Sequence, residues 1–373
     1  MSREGSPLSR RRFLVGLSSA AAAAAFLAAC GEGEEEATPS ATSTGSADAS
    51  STAMASPTAS ATEVASSGVF PVSVAHKYGT TEIPVEPVRV LSLGYSDQDP
   101  ILAVGITPIA TRYWFGEEPG AVFPWAQDYM TGDVPEVLTM SDGIDFEKIA
   151  VLEPDLIVGV YSGITEDDYT TLSQIAPVVA QSPDYIDYGM PWDEAARLIA
   201  SALGRVDQME TAIAEVEAKY AAAREANPDF EGKGLVVAAM RADGQVGVFA
   251  EQDQRMRFFT NLGFAQPEEL DGLFGDSFYT NISAEQFQLL DSGDVVAWTQ
   301  VVYAGRDAIL ANEVYSQLAV AKENRHILID GYADAAFSFN SVLSQAYALD
   351  VVVPALAAAI DGDPETNVEI PAA

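Results

Sequence analysis

The chain reads as an α/β protein of two similar, Rossmann-like lobes with mainly parallel sheets, hung on either side of one long helix. Three observations carry that expectation. Short apolar runs alternate with helical patterns along both halves, the signature of parallel sheets covered on both faces. A helix of about 20 residues, ~30 Å long, stands between the halves over positions 207–226. A phrase also recurs: Glu147, Leu152, Asp155 and an apolar strand in the first half match Glu285, Leu290, Asp294 and an apolar strand in the second, one residue longer because of Gly293.

The linking helix is the most legible element. Gly204 closes a helical pattern that opens near Pro191, and Asp207 three residues ahead of Glu210 predicts a capping box. Met209, Ile213, Val216 and Tyr220 form one narrow apolar stripe, and Asn227-Pro228 ends the run because the residue before proline is pushed out of helical space. In the first half, strands are expected at 89–93, 107–110 and 156–159, with helices over 100–105 and 147–152 and a helix and strand within 172–180. In the second half, strands are expected at 235–240, 245–250, 294–298 and 326–330. Helices follow over 255–263, from Ser283 to near Leu290, and over 341–360 with a kink at Pro354.

The first 29 residues read as targeting. Ser9-Arg10-Arg11-Arg12-Phe13-Leu14 fits a twin-arginine export signal, and the apolar run 17–29 is short for a membrane span. It ends in Leu27-Ala28-Ala29-Cys30, which resembles the lipobox of bacterial lipoproteins and implies lipidation of Cys30, the only cysteine among 373 residues. Positions 30–68 are Ser-, Thr-, Ala-, Pro- and Glu-rich, a composition that cannot bury enough surface to order itself; a disordered tether is expected. The remainder divides into a lobe over 69–191, a connecting segment over 192–227 and a second lobe over 228–373. The formal charge of −36 excludes a nucleic-acid partner. With a single cysteine and only His76 and His326, which are far apart, no metal site is expected.

Four phrases, in order, resemble the substrate-binding proteins of iron–siderophore ABC transporters. They are His76-Lys77-Tyr78-Gly79-Thr80-Thr81-Glu82-Ile83-Pro84 continuing through Pro87-Val88-Arg89-Val90-Leu91, Leu152-Glu153-Pro154-Asp155-Leu156-Ile157, Ile175-Ala176-Pro177-Val178, and the 313–330 segment with Leu318-Ala319-Val320 and His326-Ile327. His326 stands where the family more often has a small residue or valine. The resemblance covers about 69–360. It implies two lobes joined by one long helix, a ligand cleft between them and limited hinge motion. It further implies a monomeric, extracytoplasmic, lipid-anchored binder that delivers a ferric siderophore to an ABC permease, with no cofactor because iron arrives as an organic chelate. One exposed glutamate per lobe docks on the permease in this family, and Glu147 and Glu285 match those positions; a helix dipole also favours a glutamate in a first turn but does not explain one at the same place in both lobes.

Ligands of open α/β sheets sit at the C-terminal ends of the strands. That rule selects Tyr95, Ser96, Asp97 and Gln98, then Arg112, Tyr113 and Trp114, then Tyr161 and Ser162. In the second lobe it selects Arg241, Trp298, Tyr303 and the stretch from Phe337 to Phe339. Polar-tipped aromatics and a few arginines suit a bulky chelate with anionic donor oxygens. Packing competes with ligand contact for each aromatic, and a surface ion pair competes for each arginine; Arg255 and Arg257 are further candidates for the ligand, but on a helix they are expected to pair with nearby acids. The rival readings are the same fold binding haem, cobalamin or another metal chelate, and a lipid-anchored hydrolase. The chain has no G-x-S-x-G elbow, Walker loop, dinucleotide glycine pattern or zinc-protease helix.

Overall fold

The computed structural model describes residues 69–370 except positions 142 and 276. The export signal, Cys30 and the tether lie outside the described residues. An antiparallel hairpin of β1 (Val72–His76) and β2 (Gly79–Ile83) opens the fold. The first lobe then runs β3 (Val90–Ser92), α1 (Gln98–Ala103), β4 (Ala110–Arg112), α2 (Pro124–Gln127), β5 (Glu136–Leu138), α3 (Phe146–Val151), β6 (Leu156–Gly159), α4 (Glu166–Leu172) and β7 (Val178–Ala180). Its five strands are all parallel, in the order β5-β4-β3-β6-β7.

Helices α5 (Trp192–Leu203) and α6 (Val206–Ala226) lead to the second lobe. It comprises β8 (Leu235–Met240), β9 (Val246–Phe249), α7 (Gln254–Thr260), β10 (Tyr279–Ile282), β11 (Val295–Trp298), α8 (Arg306–Leu310), α9 (Ala319–Lys322), β12 (His326–Leu328), α10 (Gly331–Phe339) and α11 (Val342–Ala359). The sheet order, β10-β9-β8-β11-β12, repeats the first lobe's plan, but β9 runs antiparallel to both neighbours because a tight hairpin replaces a crossover.

The recurring phrase proves to be a structural repeat. Asp155, entering β6, accepts from the backbone N–H groups of Val88 (2.8 Å) and Arg89 (2.9 Å) just ahead of β3. Asp294, entering β11, accepts from Gly234 N–H (2.8 Å) just ahead of β8. Each aspartate ties the fourth strand of its lobe to the first.

Strand alternation divides the core. Val90, Leu156, Val158 and Val179 face a core shared with the linking helices, whereas Leu91, Ile157 and Val178 face a separate core on the lobe's other side. Leu235, Val237 and Ala239 likewise join the shared core, and Val236, Ala238 and Met240 face away from it. The predicted stripe of α6 is buried in that shared core, with Met209, Ile213, Val216 and Tyr220 each 4% exposed or less.

Several expectations shift. The helix over 207–226 starts at Val206 with no side-chain cap, because Glu210 accepts two bonds from the Arg197 guanidinium of α5 (2.8 and 3.2 Å), a charge-assisted pair stronger than a backbone cap. The strand expected at 107–110 begins at Ala110; Pro108 has no N–H for a ladder, and the first bond to β3 comes from Ile109. The helix placed within 172–180 ends at Leu172, opened seven residues earlier by a capping box of Thr165 and Asp168. The segment from Ser283 is a 3₁₀ helix, Ala284–Ser292. Helix α10, unanticipated, is opened by Asp330, whose carboxylate accepts from Gly331 N–H at 2.8 Å, and α11 continues through Pro354.

Truncating the stripe tests the shared core. Ile213→Ala is expected to cost about 2–4 kcal/mol in chemical denaturation, and the exposed Glu217→Ala less than about 0.5 kcal/mol.

Candidate functional site

The strand order reverses between β3 and β6, and the loops leaving these strands open the crevice where such sheets hold ligands. Asp97 ties the two loops together. Its buried carboxyl accepts from the N–H groups of Val160 (2.7 Å) and Tyr161 (3.0 Å), and Tyr95 N–H donates to Tyr161 O (3.0 Å). Gly94 is required here, since a Cβ would lie 2.1 Å from an Asp97 oxygen. Burial raises the Asp97 pKa to about 7 against the lowering effect of those backbone bonds, and burial raises the neighbouring Asp99 to about 6.

The second lobe has a counterpart. Asp334 on α10 accepts from Thr299 Oγ1 (2.8 Å) and Gln300 N–H (2.9 Å), just past β11, and burial raises its pKa too. Both lobes therefore brace the exit of the fourth strand with a buried acid.

The loops converge on an open cleft of about 200 Å³ between the lobes. The first lobe contributes Tyr95, Trp114 and Tyr161; the segment ahead of α5 contributes Ile186, Asp187, Tyr188 and Gly189; the second lobe contributes Gln252, Asp253, Arg255 and Phe278. Tyr95 packs on Trp114 (5.1 Å between ring centroids), and Tyr161 packs on Tyr188 (5.1 Å). Arg112 lies over the Tyr95 ring at 3.9 Å and donates to Tyr95 OH (2.8 Å) and Ser162 O (3.0 Å). Across the cleft, Asp253 caps α7 by accepting from Arg255 N–H (2.8 Å) and pairs with the Arg255 side chain at 3.2 Å. That guanidinium is only 14% exposed, sits over Phe249 at 4.7 Å, and its Nε has no partner among the described residues. Burial pushes the Tyr161 and Tyr188 phenols up, so both remain neutral donors.

The two walls are fastened together. Gln254 donates to Tyr188 O (2.6 Å), Arg257 to Gly189 O (2.8 Å) and Tyr332 to Glu118 (2.8 Å), while Asp99 of α1 accepts from Trp125 Nε1 (2.8 Å) and from Ser341 at the start of α11. Trp114 stacks on Phe339 at 5.5 Å, within a ring cluster that also holds Phe115 and Phe123.

Of the residues singled out in the sequence, Tyr95, Trp114 and Tyr161 line the cleft, and Arg112 supports it from behind Tyr95. The others go elsewhere. Gln98 is buried and donates to Ala121 O (3.2 Å), bracing a loop. Trp298 is fully buried, because alternation along β11 turns it with Val296 to the lobe's outer core, edge-on to Tyr315 at 5.0 Å. Phe337 points from α10 into the shared core against Phe258 and Phe259. Tyr113 is 43% exposed. Arg241 and Tyr303 meet in a separate surface depression with Asp243; Arg241 lies in the β8–β9 turn, where its N–H bonds Gln245 O at 2.8 Å. Arg255 was legible as an arginine that pairs with a nearby acid, which it does with Asp253, but Gln252, Asp253 and Tyr188 carry no local mark of facing a cleft.

Fold and site define a two-lobed protein built to hold a ligand between its lobes. The chain belongs to the periplasmic binding protein family, which matches residues 92–333. A periplasmic solute binding protein from Mycobacterium smegmatis str. MC2 155 is 34% identical, with a TM-score of 0.69 over 78% of this chain and 98% of that one. PiaA from Streptococcus pneumoniae TIGR4, solved in complex with ferrichrome, is 26% identical, with a TM-score of 0.67 over 78% of this chain and 99% of that one. The probable siderophore-binding lipoprotein YfiY of Bacillus subtilis (strain 168) is 29% identical over 207 residues, 54% of this chain and 59% of that protein. The chain spans about half the length of the curated relatives it matches. These relatives are binding proteins.

The buried acids predict a pH effect. A carboxyl with a raised folded pKa keeps a proton that the unfolded chain loses, so its contribution to stability is greatest below about pH 4, falls as pH rises to about 7, and is flat above. Asp97→Asn is expected to flatten that slope, measured as urea unfolding across this range.

Proposed function

We propose that this chain is the extracytoplasmic solute-binding component of an ABC importer, capturing a ferric siderophore in the interlobe cleft and handing it to the permease chemically unchanged. The observation that carries the reading is the lining of the interlobe cleft: Tyr95, Trp114, Tyr161, Tyr188 and Phe278 present ring faces suited to a bulky organic chelate. The ferrichrome complex of PiaA and the name of YfiY support the ligand class. The ring faces and hydroxyls of Tyr95, Tyr161 and Tyr188 suit contact with an organic chelate whose donor oxygens are already bound to iron. The Ser-Arg-Arg-Arg motif and Cys30 support twin-arginine export and lipid anchoring at the membrane face where a permease stands.

Glu147 and Glu285 suit paired docking on that permease. Both are exposed, and each lies in the first turn of the short helix leading into its lobe's fourth strand. Asp145 caps the first of these helices by accepting from Lys148 N–H (3.0 Å); at the second, Ser283 N–H donates to Gln286 (3.0 Å). The aspartates that follow these helices, Asp155 and Asp294, bond the backbone ahead of each lobe's first strand in the same way.

Tryptophan fluorescence titration with ferric hydroxamate, catecholate and citrate chelates, beside haem and cobalamin, tests the ligand. Saturable quenching by a ferric chelate is expected, weakened roughly tenfold or more in Trp114→Ala. Quenching by haem or cobalamin alone would keep the fold and replace the ligand, and turnover of any substrate would overturn the carrier reading. The double variant Glu147→Ala/Glu285→Ala is expected to bind chelate as the parent does but to lose chelate uptake in cells; uptake at the parent rate would remove both residues from docking.

A further inference from the structure

The charges around the cleft narrow the ligand further, on the premise that the proposed siderophore reading holds. Three charged side chains line it, and each has a partner of opposite sign. Asp187 holds Lys77 at 2.7 Å. Arg255 holds Asp253 at 3.2 Å and is buried beside Asp334 as well. Arg112, behind the lining, is engaged by the Tyr95 ring, the Tyr95 hydroxyl and Ser162 O. What faces the cavity is therefore aromatic, with uncharged donors: the Tyr161 hydroxyl bonds to no described residue, and the Tyr95 hydroxyl accepts from Arg112 and keeps its own proton to give.

An anion carrying several charges would find no unpaired cation in the lining itself, since Arg112 lies behind the Tyr95 ring, and desolvating such a charge uncompensated is costly. An uncharged chelate would lose little on leaving water and would meet ring faces and phenol donors matched to its iron-bound oxygens. We propose that the cleft selects ferric chelates of zero or small net charge, the trihydroxamate class, over tricatecholates and polycarboxylates, because every charge in its lining is already paired.

The full chain is titrated by tryptophan fluorescence with the ferric complex of an uncharged cyclic trihydroxamate, with a ferric tricatecholate bearing three negative charges and with ferric citrate. The trihydroxamate is expected to bind about 100-fold more tightly than either anion, with an affinity nearly flat against salt. Asp253→Asn, which retains a side-chain oxygen to cap α7, unmasks Arg255 and is expected to narrow the preference roughly tenfold toward the anions. Asp187→Asn, at a half-exposed site, unmasks Lys77 and is expected to act in the same direction without disturbing the fold. A tricatecholate bound as tightly as the trihydroxamate, or a preference unchanged in both variants, overturns the charge argument and leaves the siderophore reading standing. Failure of all ferric chelates to bind overturns both.

Discussion

Neither lobe covers the inner face of its own sheet, and the rest of the structure follows from that constraint. Val90 and Val158 on one side and Leu235 and Val237 on the other are buried against the same layer of linking helices, into which α6 sends Met209, Ile213, Val216 and Tyr220. Prising the lobes apart would expose this layer, at roughly 25 cal/mol per Å² of apolar surface. The polar fastenings follow the same seam: Lys219 of α6 pairs with Asp350 of α11 at 2.8 Å, Tyr220 meets Gln345, and Asn340 donates to Gln254 at 2.6 Å. These contacts tie both lobes to one helical layer along the seam that leads to the cleft.

Within that frame the site depends on backbone placed by buried acids. Asp97 and Asp334 each bond the chain leaving a fourth strand, and each carries a desolvation penalty visible in its raised pKa. These bonds lie beside the point where the rings of the cleft wall leave the sheet. Gly163 belongs to the same design, because its φ of 64° and the Tyr188 hydroxyl 2.2 Å from where a Cβ would stand both exclude a side chain. Tyr188 reaches Ser162 O (3.2 Å) as a result and completes the ring wall.

Much of this was legible in the chain. Strands of unbroken apolar residues such as Leu235–Met240 and Leu156–Gly159 announce burial on both faces, and the four-three-four spacing of the α6 stripe announces one buried side. The Glu–Leu–Asp phrase was readable as a repeat, and its aspartates do the same work in both lobes. Tyr95, Trp114 and Tyr161 were found because a strand's C-terminal end is a place defined by sequence. The rule failed where the local geometry was not a crossover: β8 turns back into β9, so Arg241 sits on a hairpin, and Phe337 belongs to a helix that packs inward.

The sequence by itself determined the two-lobed α/β plan, the linking helix and the aromatic supply, because alternation, helical period and repeats are properties of neighbours along the chain. The tertiary structure alone decided which charges reach the cleft and in what state. Arg255 and Asp253 are two residues apart and announce an ordinary capped helix. Only the meeting of α7 with the Tyr188 loop and the rings of the first lobe turns them into an ion pair in the wall of the cleft. Which side of a strand or helix faces a distant partner is set by packing across the fold, and Trp298, facing its own lobe's outer core, shows that even a residue at the right end of the right strand can be turned away.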